Sequence, residues 1–226
     1  MAAKLSKKEL ERPDIFQTGM DKLTDYIAEN KVRFRVIVIA IIVAIVVAGG
    51  IYFYWSNYQT SAAKLYAKAQ EIVSRNAQKP DAAKESIPIF KELIDKYPNS
   101  WNAKTAWYHL GNIYYNQGDI DNAISSYKSY VTVTTEDTAG IRFLTLTSLG
   151  YCYEIKKDFK TALDYFEQAQ KSNNIGFEAI GYRNMARIYE QMNDPKKALE
   201  NYQSALQKTS DPSLTIFIKR KIAALS

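Results

Sequence analysis

Between Val36 and Trp55 the chain carries twenty consecutive residues without a charge, whereas elsewhere apolar residues return at helical spacing among polar ones. At ~1.5 Å rise per residue, a helix of that length covers the ~30 Å hydrocarbon core of a bilayer. The run therefore predicts one N-terminal transmembrane helix over residues 36–55, preceded by a tail over residues 1–35. Tyr52, Phe53, Tyr54 and Trp55 close its far end as an interfacial aromatic belt would. Lys31, Arg33 and Arg35 crowd its near end, and after Trp55 the next cation is Lys64. By the positive-inside rule this asymmetry predicts a cytoplasmic N-terminus and a soluble domain on the other side of the membrane. A cleaved signal peptide, cut after Val46 and Ala48, is the competing reading, but the charged lead and the apolar core both exceed signal-peptide dimensions. A buried core helix would need apolar neighbours on every side, and no other segment is apolar enough to supply them.

Beyond the run, one pattern recurs. Trp107, Leu110, Gly111, Tyr114, Ala123 and Tyr127 are followed in register by Leu146, Leu149, Gly150, Tyr153, Ala162, Phe166 and Ala169. A third copy follows at Tyr182, Met185, Ala186, Tyr189, Ala198, Tyr202 and Ala205. A large residue, a small residue four positions on, an aromatic three later, and then Ala, aromatic and Ala is the tetratricopeptide pattern of two antiparallel helices. The small residue lets the second helix approach the first, and the aromatics fill the space between them. Gly118-Asp119 marks the turn inside the first copy, and Pro212 closes the third. The copies lie 39 and 36 residues apart, above the 34-residue norm. The surplus is expected in the turns between repeats, the first around Thr138-Ala139-Gly140.

Phe90, Leu93 and Pro98 occupy positions of a second repeat helix, so a degenerate copy is expected ahead of the three clear ones. Its first helix would run from Ala62 to about Ser74, out of the membrane helix, with a break at Gln78-Lys79-Pro80-Asp81. At the other end, Ile218, Ile222 and Leu225 predict a capping helix, which a repeat array needs where its last face meets water. The expected architecture is all-α: a linker helix over 56–80, tetratricopeptide repeats stacked as an α-solenoid over 81–212, and a cap over 213–226. In the tail, Ser6 and Glu9 have capping-box spacing, and Met20, Leu23 and Ile27 share a helical face. That segment reads as a short helix against the inner leaflet or extending the span.

Charge adds little. The net +6 divides into +2 for residues 1–35 (eight basic, six acidic) and +4 for residues 56–226 (22 basic, 18 acidic). Apart from Lys219-Arg220-Lys221 and the trio before the run, the bases are interspersed with acids, so no nucleic-acid footprint appears. The chain has one cysteine, Cys152, and one histidine, His109. These counts rule out an intrachain disulfide, a His-rich zinc site and a lipidated anchor near the membrane run. No cofactor loop or catalytic constellation is present, so the reading is not an enzyme; Cys152 is expected to be packed, and His109 exposed or groove-lining. Asp119 and Asp121 read as helix caps.

In stacked helix pairs the first helices line a concave groove. The positions expected to face it are Tyr108, Asn112, Tyr115, Thr147, Tyr151, Arg183, Arg187 and Glu190. Tyrosines and arginines suit a partner-binding surface, because they combine large apolar area with polar tips. The alternative is that these tyrosines pack between adjacent repeats.

The layout resembles the YfgM-like family, the ancillary subunit of the bacterial Sec translocon. The resemblance rests on Ala28-Glu29-Asn30-Lys31 before the span and on Tyr54-Trp55 with Ser56 and Gln59 at its exit. Leu65-Tyr66, the repeats, and the closing Lys221-Ile222-Ala223-Ala224-Leu225 complete it. It implies an inner-membrane protein with a periplasmic repeat domain that associates with translocon subunits, a periplasmic prolyl isomerase and exported clients, in a chaperone-like part. The repeats are also similar to the periplasmic cell-division coordinator of the Tol-Pal system. The alternative reading is accordingly an envelope-assembly or division organiser, a homo-oligomer using the repeats as its platform.

Overall fold

The computed structural model describes residues 15–75, 82–134, 140–172 and 176–225. These are helical nearly throughout, with no strand among the described residues. The chain divides into two compact units, Met1–Ser56 and Asn57–Ser226.

In the first unit, α1 spans Ile15–Glu29. Met20, Leu23 and Tyr26 lie exposed along it. Asn30 both closes this helix and opens the next: its N–H donates to the Tyr26 carbonyl at 3.0 Å, and its own carbonyl accepts from Phe34 N–H at 2.9 Å. The second helix, α2, spans Lys31–Arg75. The apolar run is thus one part of a longer helix rather than an element of its own. By length and composition α2 is able to cross a membrane, and its most apolar stretch contains no buried residue. Ser6 and Glu9 lie outside the described residues.

The second unit is built from helix pairs. A short 3-10 turn at Ala82–Ser86 leads into α3, Ile87–Lys96. The three clear repeats follow: α4, Trp101–Asn116, with α5, Ile120–Val133; α6, Ile141–Ile155, with α7, Phe159–Lys171; and α8, Glu178–Gln191, with α9, Pro195–Lys208. The chain's last helix is α10, Pro212–Leu225. Ala62 and Ala69 of α2 are fully buried among Phe90, Leu93, Ala106 and Leu110, which places the degenerate first repeat as expected. Ile218 of α10 is buried against Ala186, Tyr202 and Ala205, so this helix does cap the third repeat.

Close approach inside each repeat depends on the small residue of its first helix. A Cβ built on Gly111 would lie 2.4 Å from the Tyr127 ring, and one on Gly150 would lie 2.5 Å from the Phe166 ring. In the third repeat Ala186 and Tyr202 are both fully buried. Each of the three clear repeats makes its internal turn alike. Gly118, Lys157 and Asn193 hold positive φ, at 76°, 59° and 58°. The next residue, Asp119, Asp158 or Asp194, donates its N–H to the carbonyl of Tyr114, Tyr153 or Tyr189, each at 2.9 Å. This is a Schellman closure of the first helix. The same Asp then caps the second helix, accepting from Asn122, Thr161 or Lys197 N–H. Asp121, expected as a cap, is not one: it already lies within α5 and pairs with Lys156 at 2.7 Å.

Because the small residue and the following alanine are 12 residues apart in every copy, the extra length lies between repeats. There Arg142 donates to the carbonyls of Val131 and Thr134, occupying acceptors that the end of α5 leaves free. Gly140, at φ 71°, precedes α6. Thr138, Ala139 and Gln78 to Asp81 lie outside the described residues.

Candidate functional site

Most of the residues expected to face a groove take part in local polar and aromatic contacts on the first helices of the repeats. Tyr108 is half-buried, its ring 6.3 Å from those of Tyr127 and Tyr130. Asn112 accepts the Tyr127 hydroxyl proton through Oδ1 at 2.8 Å. Tyr151 crosses to the next repeat, donating from its hydroxyl to Asn184 Oδ1 at 3.2 Å. Its ring also lies beneath the Arg187 guanidinium, 5.3 Å from centroid to Cζ, a favourable cation–π arrangement. Arg187 pairs with Glu154 at 2.7 Å. Burial raises the Glu154 pKa, and the Arg187 charge opposes that shift. Burial raises the Tyr115 pKa. Glu190 accepts from the Tyr202 hydroxyl at 2.8 Å and from Lys221 Nζ at 3.0 Å through both carboxylate oxygens.

Thr147 stands apart. Only 7% of it is exposed, so it presents almost no surface to a ligand. The cause is local: α6 has buried residues around much of its circumference, from Phe143 and Thr145 to Gly150 and Cys152. Cys152 is packed as expected. His109 is not exposed but partly buried. Its ring stacks on Phe90 at 5.6 Å, and its Nε2 lies 2.7 Å from the Tyr66 hydroxyl and 2.9 Å from Gln70 Nε2. Two donors converge on one ring nitrogen, which fits a neutral imidazole accepting there. Burial lowers its pKa to about 4.

A cleft of about 660 Å³ opens where the third repeat meets the cap. Ile180, Leu214 and Phe217 supply apolar lining, and Arg183, Arg187 and Lys221 bring three cations to it. Repeat register places Arg183 and Arg187 here. It does not identify Leu214, Phe217 and Lys221, because the docking of α10 decides what they face. Among the described residues, no group of three His, Cys, Asp or Glu side chains comes together in a way that could hold a metal ion.

Stacked helix pairs closed by a last helix define a helical-repeat scaffold of the kind that binds other proteins. Residues 31–226 match the tetratricopeptide repeat-like domain family, and the chain belongs to it. No curated protein matches the sequence. Among solved structures, the chain is similar to MamA at 21% identity and a TM-score of 0.54, over 67% of this chain and 79% of that one. Against Pseudomonas aeruginosa pilF the identity is 14% and the TM-score 0.57, over 75% and 69% of the two chains. Against a tetratricopeptide repeat protein from Parabacteroides merdae the identity is 17% and the TM-score 0.59, over 74% and 60%. At these identities the likeness is one of fold.

Proposed function

We propose that this chain is a non-catalytic scaffold anchored in the bacterial inner membrane. Residues 1–35 form its cytoplasmic tail, residues 36–55 its span, and the repeats, closed by the cap over 213–226, its periplasmic domain. The inner face of the repeats takes protein partners: translocon subunits, a periplasmic prolyl isomerase and exported clients. The observation that carries this reading is the extent of the family match, which begins at Lys31 and so takes in the apolar run together with the repeats. The apolar run and the repeats therefore fall within one family match. Support for a spanning role comes from the exposed, charge-free run and from the exposed aromatics Tyr52, Phe53 and Tyr54 at its end. Support for partner binding comes from Tyr108, Tyr115 and Tyr151, which are only half-buried and present ring area on first helices.

A photo-crosslinker at Tyr115 in intact cells, followed by mass spectrometry, tests the reading. Capture of translocon subunits, the prolyl isomerase or exported chains is the expected result. Capture of Tol-Pal or division proteins alone would replace it with the envelope-organiser reading.

A further inference from the structure

The first repeat begins almost where the apolar run ends. Trp55 closes the run, and Tyr58 follows three residues on in the same helix, a rise of about 4.5 Å. The headgroup layer on each side of a bilayer is roughly 5–8 Å deep. Tyr58 therefore stays within that layer when Trp55 sits at the hydrocarbon boundary. Tyr58 is also bound to the repeats. Its hydroxyl accepts from Asn99 N–H at 3.1 Å, and its ring meets the Tyr97 ring edge-on at 5.1 Å. The turn between α3 and α4 is thereby held at the level of Tyr58. Ser100 N–H closes this turn on the Tyr97 carbonyl at 2.9 Å, and Ser100 Oγ accepts from Ala103 N–H at 3.0 Å to start α4. Trp101 is the first residue of that helix. Further along, His109 meets Tyr66 at 2.7 Å. The helices α2 and α4 thus advance in the same direction, and Trp101 marks the end of α4 nearest Tyr58. It is 44% exposed, although Ser100 and Ala103 beside it are buried.

We propose that Trp101 is a second membrane contact of this protein, its indole lying in the headgroup layer of the bilayer that α2 crosses, on the side the repeats occupy. The inference rests on the spanning reading above and names a lipid surface as a partner of the repeat domain. Tryptophan suits this layer because its ring is apolar while its N–H seeks a polar neighbour. Lys96, Pro98 and Asn99, exposed beside it, form a surround that headgroups can solvate. Lipid is favoured over a protein as the occupant by distance: the short stretch from the span to Tyr58 brings headgroups to this turn without any further partner. A contact off the axis of α2 restrains rotation of the repeats about that helix.

The test is tryptophan fluorescence of the full-length protein in phosphatidylcholine nanodiscs, with and without lipid carrying a nitroxide on its headgroup. The chain has three tryptophans, Trp55, Trp101 and Trp107. Trp107 lies six residues along α4 from Trp101, about 9 Å farther up the helix axis, and serves as the control. The nitroxide is expected to quench wild type. Trp101→Phe should lose about half of the quenchable emission, Trp55→Phe about the other half, and Trp107→Phe none. Because Trp101 is exposed, the thermal midpoint of Trp101→Phe should match wild type. Trp101→Tyr, which keeps an amphipathic ring and removes the indole signal, gives the same reading should the phenylalanine variant fold poorly.

Trp101 emission untouched by the nitroxide overturns the proposal. If acrylamide quenches that emission instead, the indole faces water; if neither quencher reaches it, a second copy of the chain covers it. If Trp55 is quenched and Trp101 is not, this contact falls and the spanning reading stands. If neither is quenched, the spanning reading falls together with it.

Discussion

Gly111 faces the Tyr127 ring so closely that an added Cβ would lie 2.4 Å from two of its carbons. Tyr127 is fully buried and its hydroxyl is bonded to Asn112, so the ring has little freedom to withdraw. Gly111→Ala should therefore destabilise the domain by about 1–3 kcal/mol through overpacking, although alanine is the better helix former by about 1 kcal/mol. Gly181 provides the contrast. Its added Cβ would meet the amide end of Gln170, which belongs to a flexible side chain rather than a ring. Chemical denaturation of both variants checks the ranking: Gly111→Ala should lose more stability than Gly181→Ala, and equal losses would mean that the rings can move.

Lys157 holds φ at 59° in the position that Gly118 fills in the preceding repeat. The left-handed region costs an L-residue roughly 1–2 kcal/mol, and glycine returns part of that gain as unfolded-state entropy. Lys157 is exposed, and its backbone N–H bond to the Glu154 carbonyl survives replacement by glycine. Lys157→Gly should stabilise the protein by roughly 0.5 kcal/mol, visible as a higher denaturant midpoint at unchanged slope. Asn193→Gly should gain less, because asparagine tolerates this region better than lysine.

Tyr202 and Phe166 occupy the same repeat position, and both are buried. Phenylalanine is thus already accommodated there by one repeat, so Tyr202→Phe tests the hydroxyl alone. Its loss removes the 2.8 Å bond to Glu190, whose other partner is Lys221 of the cap. A hydrogen bond to a charged acceptor contributes about 1.5–3 kcal/mol, and Glu190 keeps Lys221. The expected cost is at the lower end of that range, with amide exchange in α10 accelerated more than in α4. Uniform acceleration would show that Glu190 does not tie the cap to the third repeat.

These contrasts show which features a single sequence makes legible. The repeats were readable because each rests on local spacing: Leu110, Gly111 and Tyr114 meet their own Ala123 and Tyr127 through one short turn. The cap was readable from Ile218, Ile222 and Leu225 for the same reason. Features set by packing between repeats were less so. Thr147 shares its register with groove positions, yet α6 is buried on more sides than the other first helices. Lys221 carries no sign in its periodicity that it will reach Glu190, 31 residues earlier. The partners of His109, Tyr66 and Gln70, come from a helix whose alignment with α4 no local pattern specifies.

The placement of His109 sets an acid limit on stability. Folded, its pKa is about 4; unfolded, it returns to the ordinary value near 6.5. In that interval the unfolded chain binds a proton that the folded one refuses, so stability is fully present above about pH 6.5 and falls as the pH drops towards 4. The groups facing the ring are Tyr66, Gln70, Phe90 and Tyr108, none of which carries a negative charge at these pH values to compensate an imidazolium. The loss should approach, and not exceed, about 3 kcal/mol. Replacing the ring with an uncharged side chain of similar polarity, His109→Gln, should lower stability at neutral pH and flatten its decline between pH 6.5 and 4. Denaturant midpoints across that range decide the matter: if wild type and variant decline in parallel, His109 is not the group that titrates.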